Sequence, residues 1–205
     1  MIRYFAPILL LLTASVCAEN KPAGHLIMVD PGHGGFDLGA RMSSVNEKSL
    51  ALSTSLLVRK YLKERGYRVI MSRMRDVFIP LATRAAVANK TRCHLFLSLH
   101  FNAAKNVTAS GVEVFYYDSK DKYRSGASKK LARHIQNHMV ERTKARDRGV
   151  KGGNFHVIRE TNMPAVLIEG GFITHDKERD LLKAESYREK IAMAITDGVD
   201  AYFKS

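Results

Sequence analysis

With 205 residues, 45% of them apolar and 26% charged, the chain has the makeup of one globular domain. Disorder, collagen-like repeats and a disulfide-dense mini-scaffold are excluded as whole-chain descriptions, and a core of this size folds without a structural metal. Lysine and arginine outnumber aspartate and glutamate by 33 to 20, which favours anionic partners, yet the basic residues are dispersed and never run beyond two, a poor footprint for nucleic acid.

The first elements decide the compartment. Met1-Ile2-Arg3 gives a positive start, Ile8 to Leu12 the middle of an apolar stretch, and Val16-Cys17-Ala18 acceptable residues for signal-peptidase cleavage. The stretch is too short for a comfortable permanent anchor, so residues 1–18 are expected to be a signal peptide and the rest to be exported, with no stable membrane insertion after cleavage. A competing reading acylates Cys17 as a lipoprotein, but Ala14-Ser15-Val16 fits a lipobox badly. Cys93, beside the apolar run Leu95-Phe96-Leu97, is expected to be a buried, inert thiol.

Further along, strand and helix alternate. His25 to Asp30 reads as a buried strand ending abruptly at Pro31-Gly32-His33-Gly34-Gly35. Helical spacing runs from Glu47 to Arg65, with Gly66 as its stop. Strands are predicted over Tyr67 to Met71, Leu95 to Leu99, Gly111 to Tyr117, Phe155 to Ile158 and Ala165 to Ile168. Helices are predicted over Leu81 to Asn89, Arg124 to Arg142 and Ser186 to Phe203. The alternation gives an α/β fold: a single domain with a mostly parallel twisted sheet of about six strands flanked by helices.

In such sheets, sites form beyond the carboxyl ends of the strands. His33, His100 and Glu169 each fall at or just past a predicted strand end, and Glu47 opens the helix after the first loop. Two imidazoles and a carboxylate make a zinc site with one open position, and zinc lowers the pKa of its water from about 16 towards about 7. The candidates are His33, Glu47 and His100 as metal ligands and Glu169 as general base and then acid. Gly32, Gly34 and Gly35 are expected to let the backbone approach the metal, and Gly170-Gly171 to do the same beside the base. Spacings of 14 and 53 residues match no short zinc motif, so the ligand set stays open on spacing alone. His134 and His138 are i,i+4 on a helix, but Ile135 replaces the glutamate of H-E-x-x-H, and they read as a solvated face. His25, His94, His156 and His175 carry no site either.

The segment Val29-Asp30-Pro31-Gly32-His33-Gly34-Gly35-Phe36-Asp37-Leu38-Gly39-Ala40, followed by Glu47-Lys48, resembles the opening of the zinc N-acetylmuramoyl-L-alanine amidases. The likeness continues through Ser72-Arg73, Arg84, Ser98-Leu99-His100-Phe101-Asn102-Ala103, Gly111-Val112-Glu113-Val114, Arg148-Gly149-Val150-Lys151 and Met163 to Ile173. It implies a catalytic domain over residues 19–205 that cleaves the amide between N-acetylmuramic acid and the L-alanine of the stem peptide, in cell-wall remodelling and cell separation. Carried over position by position, it makes His33, Glu47 and His100 the ligands of Zn2+ and Glu169 the catalytic glutamate, with Asn102 in support. His175 stands where the family has asparagine, outside the inferred site. Some members carry an inserted helix that plugs the site. Here Tyr117 to Arg146 is filled by one ordinary helix, so an open pocket is expected. The substrate is then peptidoglycan or a muropeptide, the compartment the periplasm, and the protein a monomer.

Two rivals remain open. One is a peptidase acting at the D-alanine end of the stem; its serine version would use Ser119-Lys120-Asp121-Lys122, an S-x-x-K without a K-T-G partner. The other is a non-catalytic module holding anionic wall polymer through its positive charge.

Overall fold

The computed structural model describes residues 24–205; the export leader, its cleavage site and Cys17 lie outside the described residues. The elements in chain order are β1 (Leu26–Pro31), β2 (Arg41–Met42), β3 (Val45–Asn46), α1 (Glu47–Glu64), β4 (Arg68–Met71), α2 (Leu81–Thr91) and β5 (Leu95–Asn102). They continue with β6 (Val112–Tyr116), α3 (Lys122–Thr143), β7 (Asp147–Gly152), α4 (His156–Arg159), β8 (Ala165–Phe172), α5 (Asp176–Lys183) and α6 (Glu185–Lys204). Six strands form one sheet in the order β4-β1-β5-β8-β6-β7, and β2 and β3 make a small separate hairpin. All neighbours in the large sheet run parallel except β6 and β8.

Side chains alternate cleanly across the sheet, as a period of two requires. Ile27, Val29, Leu95, Leu97, Leu99, Phe101, Val112, Val114, Val166 and Ile168 face one side, where they pack with α1, α3 and α6 in the larger core. The crossing of α6 over α3 is tight: a Cβ on Gly198 would lie 2.6 Å from the Ile135 Cα. Met28, Phe96, Ala165 and Leu167 face the other side and meet Ala88, Val157 and Ile158 in a smaller core. Asp30, Ser98, His100, Glu169 and Glu113 share the parity of this second face, which leaves polar groups above the smaller core at one edge of the sheet.

The structure corrects three local expectations. Phe155 to Ile158 is not a strand: Phe155 is the extended N-cap of the one-turn helix α4, whose Val157 and Ile158 are buried. With β8 already paired on both sides, no ladder is left for this segment. The sixth strand is instead β7, whose sequence DRGVKG shows no apolar alternation because it is an edge strand paired on one side only. Finally, β5 and β8 run past their expected ends, so His100 and Glu169 lie inside strands and are register partners. Helix α5 was also hidden by its charged sequence; His175 caps it by accepting from the Glu178 N–H at 3.3 Å. Among the described residues no helix is long and apolar enough to cross a membrane.

Candidate metal centre and cleft

The polar edge begins where β1 stops. His33 sits at φ 58, a left-handed conformation that a side chain with a Cβ adopts only under constraint. Two buried arginines supply the constraint. Arg84, from α2, donates to the carbonyls of Ile79 (2.8 Å), Pro31 (2.6 Å) and His33 (2.7 Å), and pairs with the buried Asp30 at 2.9 Å. Arg73 donates to the carbonyls of Pro31 (3.1 Å), Gly32 (2.7 Å) and Lys48 (2.9 Å). Asp30 also accepts from Ser98 at 2.9 Å, so the charges beneath the loop are all partnered.

Glu47 is the first residue of α1, where a carboxylate meets the positive end of the helix dipole, and Asn46 caps that helix through the Ser49 N–H. Its Oε1 lies 3.0 Å from His33 Nε2 and 2.8 Å from His100 Nδ1, and the Phe101 N–H donates to it at 3.2 Å. Its Oε2 accepts from the Ala40 N–H at 2.9 Å. On the far side of the His33 ring, Nδ1 meets both carboxylate oxygens of Asp37 at 2.9 Å. Burial works against ionisation of Glu47, but hydrogen bonds from His100 and then His33 outweigh it and hold the carboxyl well below the usual range. Burial likewise opposes charging of His33, and its bonds to Glu47 and Asp37 reverse the effect and raise its proton affinity.

Glu169 is built differently. Its Oε2 is enclosed and has no hydrogen-bond partner. Burial first, then the neighbouring Glu47 and Glu113 carboxylates, push its pKa well above the ordinary value. All four predicted residues line one cavity of about 540 Å³ above the smaller core, walled by Phe78, Leu81, Phe155 and Val157.

Donor atoms of His33, Glu47 and His100 lie within 4.8 Å of one another, and among the described residues no other such cluster of three occurs. The set fits a zinc ion. Two ligands bound at about 2.0–2.1 Å in a tetrahedron stand roughly 3.3 Å apart, a few tenths beyond the 3.0 and 2.8 Å that separate Glu47 from His33 and His100. Asp37 on the outer nitrogen of His33 supplies the carboxylate that orients a ligating imidazole.

The expected glycine roles need correction. Gly32 makes room for the His100 ring, 2.3 Å from where a Cβ would stand, whereas Gly34 and Gly35 accommodate the Val77–Phe78 backbone. Gly170 clears the Phe101 ring and Gly171 lies against Glu178 and Leu182, so neither opens the space beside Glu169. Asn102 lines the cavity, accepts from the Ala103 N–H and donates to Glu113 at 2.6 Å. Ser119 accepts from the Asp121 N–H and Lys122 faces Asp118 at 3.8 Å, so the S-x-x-K pair forms no nucleophile–base contact. Cys93 is buried, its thiol pushed up to about 11 by desolvation. Sequence reasoning missed the holding role of Arg73 and Arg84. The available signal was Arg84 on the same helical face as Ala85 and Ala88, where an unpaired charge has no place.

Residues 27–201 match the N-acetylmuramoyl-L-alanine amidase family. The chain belongs to that family. Among its relatives, the uncharacterized protein YqiI of Bacillus subtilis (strain 168) is 39% identical over 196 residues, covering 95% of this chain and 93% of YqiI. The N-acetylmuramoyl-L-alanine amidase LytC of the same organism is 38% identical over 186 residues, which is 91% of this chain but 37% of LytC, so the chain spans little more than a third of that relative. The crystal structure of N-acetylmuramoyl-L-alanine amidase from Clostridium difficile 630 superposes with a TM-score of 0.84 at 38% identity, covering 88% of this chain and 97% of that one. The α/β architecture with its mostly parallel six-stranded sheet is thus the family's fold.

Proposed function

We propose that this amidase-family chain hydrolyses the amide between the lactyl group of N-acetylmuramic acid and the L-alanine of the stem peptide in peptidoglycan. His33, Glu47 and His100 hold zinc in this reading, and Glu169 is the catalytic residue that moves the proton. The observation that carries it is the meeting of three metal-type donors with a carboxyl whose Oε2 is enclosed and unpartnered, on one cavity wall. Bound at the triad, zinc supplies polarisation of the scissile carbonyl and a lowered pKa for water. Glu169 accepts a proton from the attacking water and delivers it to the departing amine of L-alanine. Its raised proton affinity suits a group that must hold that proton between the two events. Asp37 keeps the His33 ring turned with Nε2 toward the triad, while Arg84 and Arg73 fix the backbone that carries it. Phe78, Phe155 and Val157 give the departing peptide an apolar wall to pass along.

The same reading places the enzyme outside the cytoplasmic membrane after removal of residues 1–18, in the periplasm, as a monomer acting in wall remodelling and cell separation. Digestion of purified sacculi and muropeptides with the zinc-loaded protein, followed by mass spectrometry of the released ends, tests the chemistry. A newly free L-alanine amine is expected, with loss on chelation and recovery on zinc addition. Release of D-alanine instead, or undiminished digestion after stringent chelation, overturns the assignment.

A further inference from the structure

The sheet register places His100 of β5, Glu169 of β8 and Glu113 of β6 side by side in one row on the cavity face. The row does not end at Glu113. Lys151 of β7 is the register partner of Phe115, faces the same side, and reaches back along the sheet to pair with the Glu113 carboxylate. Arg148 stands 3.3 Å from the same carboxylate oxygen and lies over the Phe172 ring. Two cations therefore share one anion. The anion is buried, with its side chain 4% exposed, while Lys151 remains 42% and Arg148 27% exposed. What faces solvent at this end of the row is a surplus positive charge.

Two chains of contact tie that charge to the cavity. Asn102, on the cavity wall, donates to Glu113. Phe155, on the same wall, packs edge-on against Phe115 at 5.1 Å, and the Lys151 ammonium lies 6.0 Å from the centre of that ring. Because Lys151 leans from β7 onto β6, its ammonium stands about one strand spacing, roughly 5 Å, to the side of the strand that carries Glu169. A peptide advances about 3.3 Å per residue, so a chain cleaved at its first nitrogen beside Glu169 brings its second residue to this point.

We infer that Lys151, with Arg148 beside it and Glu113 beneath, forms a cationic subsite for the α-carboxylate of the second residue of the stem peptide. The inference rests on the amidase reading above and names the feature of the substrate that the cleft selects. Glu113 is the positioning residue: it anchors the ammonium with one of its three donors and leaves two for substrate. A merely structural ion pair would tie β7 to β6 without discriminating between substrates.

The test compares muramoyl-L-alanyl-D-glutamate, with a free α-carboxylate on the second residue, and muramoyl-L-alanyl-D-isoglutamine, in which an amide replaces it. With the zinc-loaded enzyme, kcat/KM is expected to favour the acid by roughly tenfold or more, the range of a charge-assisted hydrogen bond. Lys151→Gln is expected to abolish the preference, with KM on the acid rising far more than KM on the amide, and Lys151→Arg to retain it. An unchanged preference in Lys151→Gln overturns the subsite. So does equal use of both substrates by the parent enzyme. Calorimetric binding of the free dipeptides L-alanyl-D-glutamate and L-alanyl-D-isoglutamine needs no turnover. Tighter binding of the acid that is lost in Lys151→Gln supports the subsite even where neither muramoyl substrate is cleaved, the result that sinks the amidase reading alone; equal binding of the two dipeptides overturns the subsite.

Discussion

The two faces of the sheet are held by different physics. Beneath α1, α3 and α6 the contacts are apolar, dispersed over many side chains such as Ile135, Ile191 and Ile195, and no single one defines a geometry. Above the smaller core, a handful of buried charges, Asp30, Arg84, Arg73 and Glu47, each occupy a unique position and hold a histidine in a left-handed turn. A packed apolar face accepts volume-conserving change, whereas a buried ionic network is all-or-none, since removing one member strands its partner. The contrast separates what keeps this protein folded from what makes its site.

Substitutions can break the contrast, beginning with the largest effect. Glu169→Gln is expected to lower turnover by roughly 10²–10⁴-fold while zinc content and melting temperature stay near the parent values, because the lost group transfers a proton and has no partner to strand. Turnover within tenfold of the parent would remove Glu169 from its role. Arg84→Met leaves buried Asp30 without its counter-charge and the Ile79 and His33 carbonyls without their side-chain donor, and should cost about 3–5 kcal/mol in denaturant unfolding, with zinc affinity falling too. On the other face, Ile195→Ala should cost about 2–4 kcal/mol through its cavity, yet leave the activity of the folded fraction intact. If the two variants lose zinc affinity equally, the division between faces fails.

Asp37→Asn sharpens the comparison within the site. It keeps the shape but loses the charge on the His33 outer nitrogen, and should weaken zinc binding by about 10–100-fold in a competitive chelator titration. The smallest effect concerns Cys93. With its thiol raised to about 11, only about a thousandth is thiolate at pH 8, so disulfide-reagent labelling of the native protein should be roughly a hundredfold slower than of the unfolded chain. Labelling that keeps rising about tenfold per pH unit up to about 11, where an ordinary thiol levels off near 9, gives the sign of the shift; fast labelling at pH 8 contradicts the burial.

The strands with two-sided neighbours were legible because burial on both faces writes an apolar run, as in Leu95 to Leu99 and Ala165 to Ile168. β7 was not, since an edge strand carrying Asp147, Arg148 and Lys151 needs only one partner and shows no alternation. Phe155 to Ile158 misled because a short apolar run suits a strand or a helical turn equally, and only the full pairing of β8 decides between them. In the site, residue types and their expected places at strand ends brought the four candidate positions forward, and the resemblance singled out His33 and His100 from the eight histidines. The supporting arginines and Glu113 stayed hidden. Their roles lie in carbonyls and carboxylates that come near only through folding, and no spacing along the chain records such a partnership.

The reversal of β6 has a consequence for how this scaffold tolerates change. Since β5 leaves the sheet and β6 enters it at the same edge, the nine residues 103–111 arch over the exit of β8, tethered by the Ala104 N–H to Thr174 and the Gly111 N–H to Glu178. Lengthening that arch would hang new chain over the end of the sheet where Glu169 lies, turning an insertion into a lid. The same insertion at Arg65-Gly66-Tyr67, on the opposite rim, would dangle in solvent and go unnoticed by the chemistry.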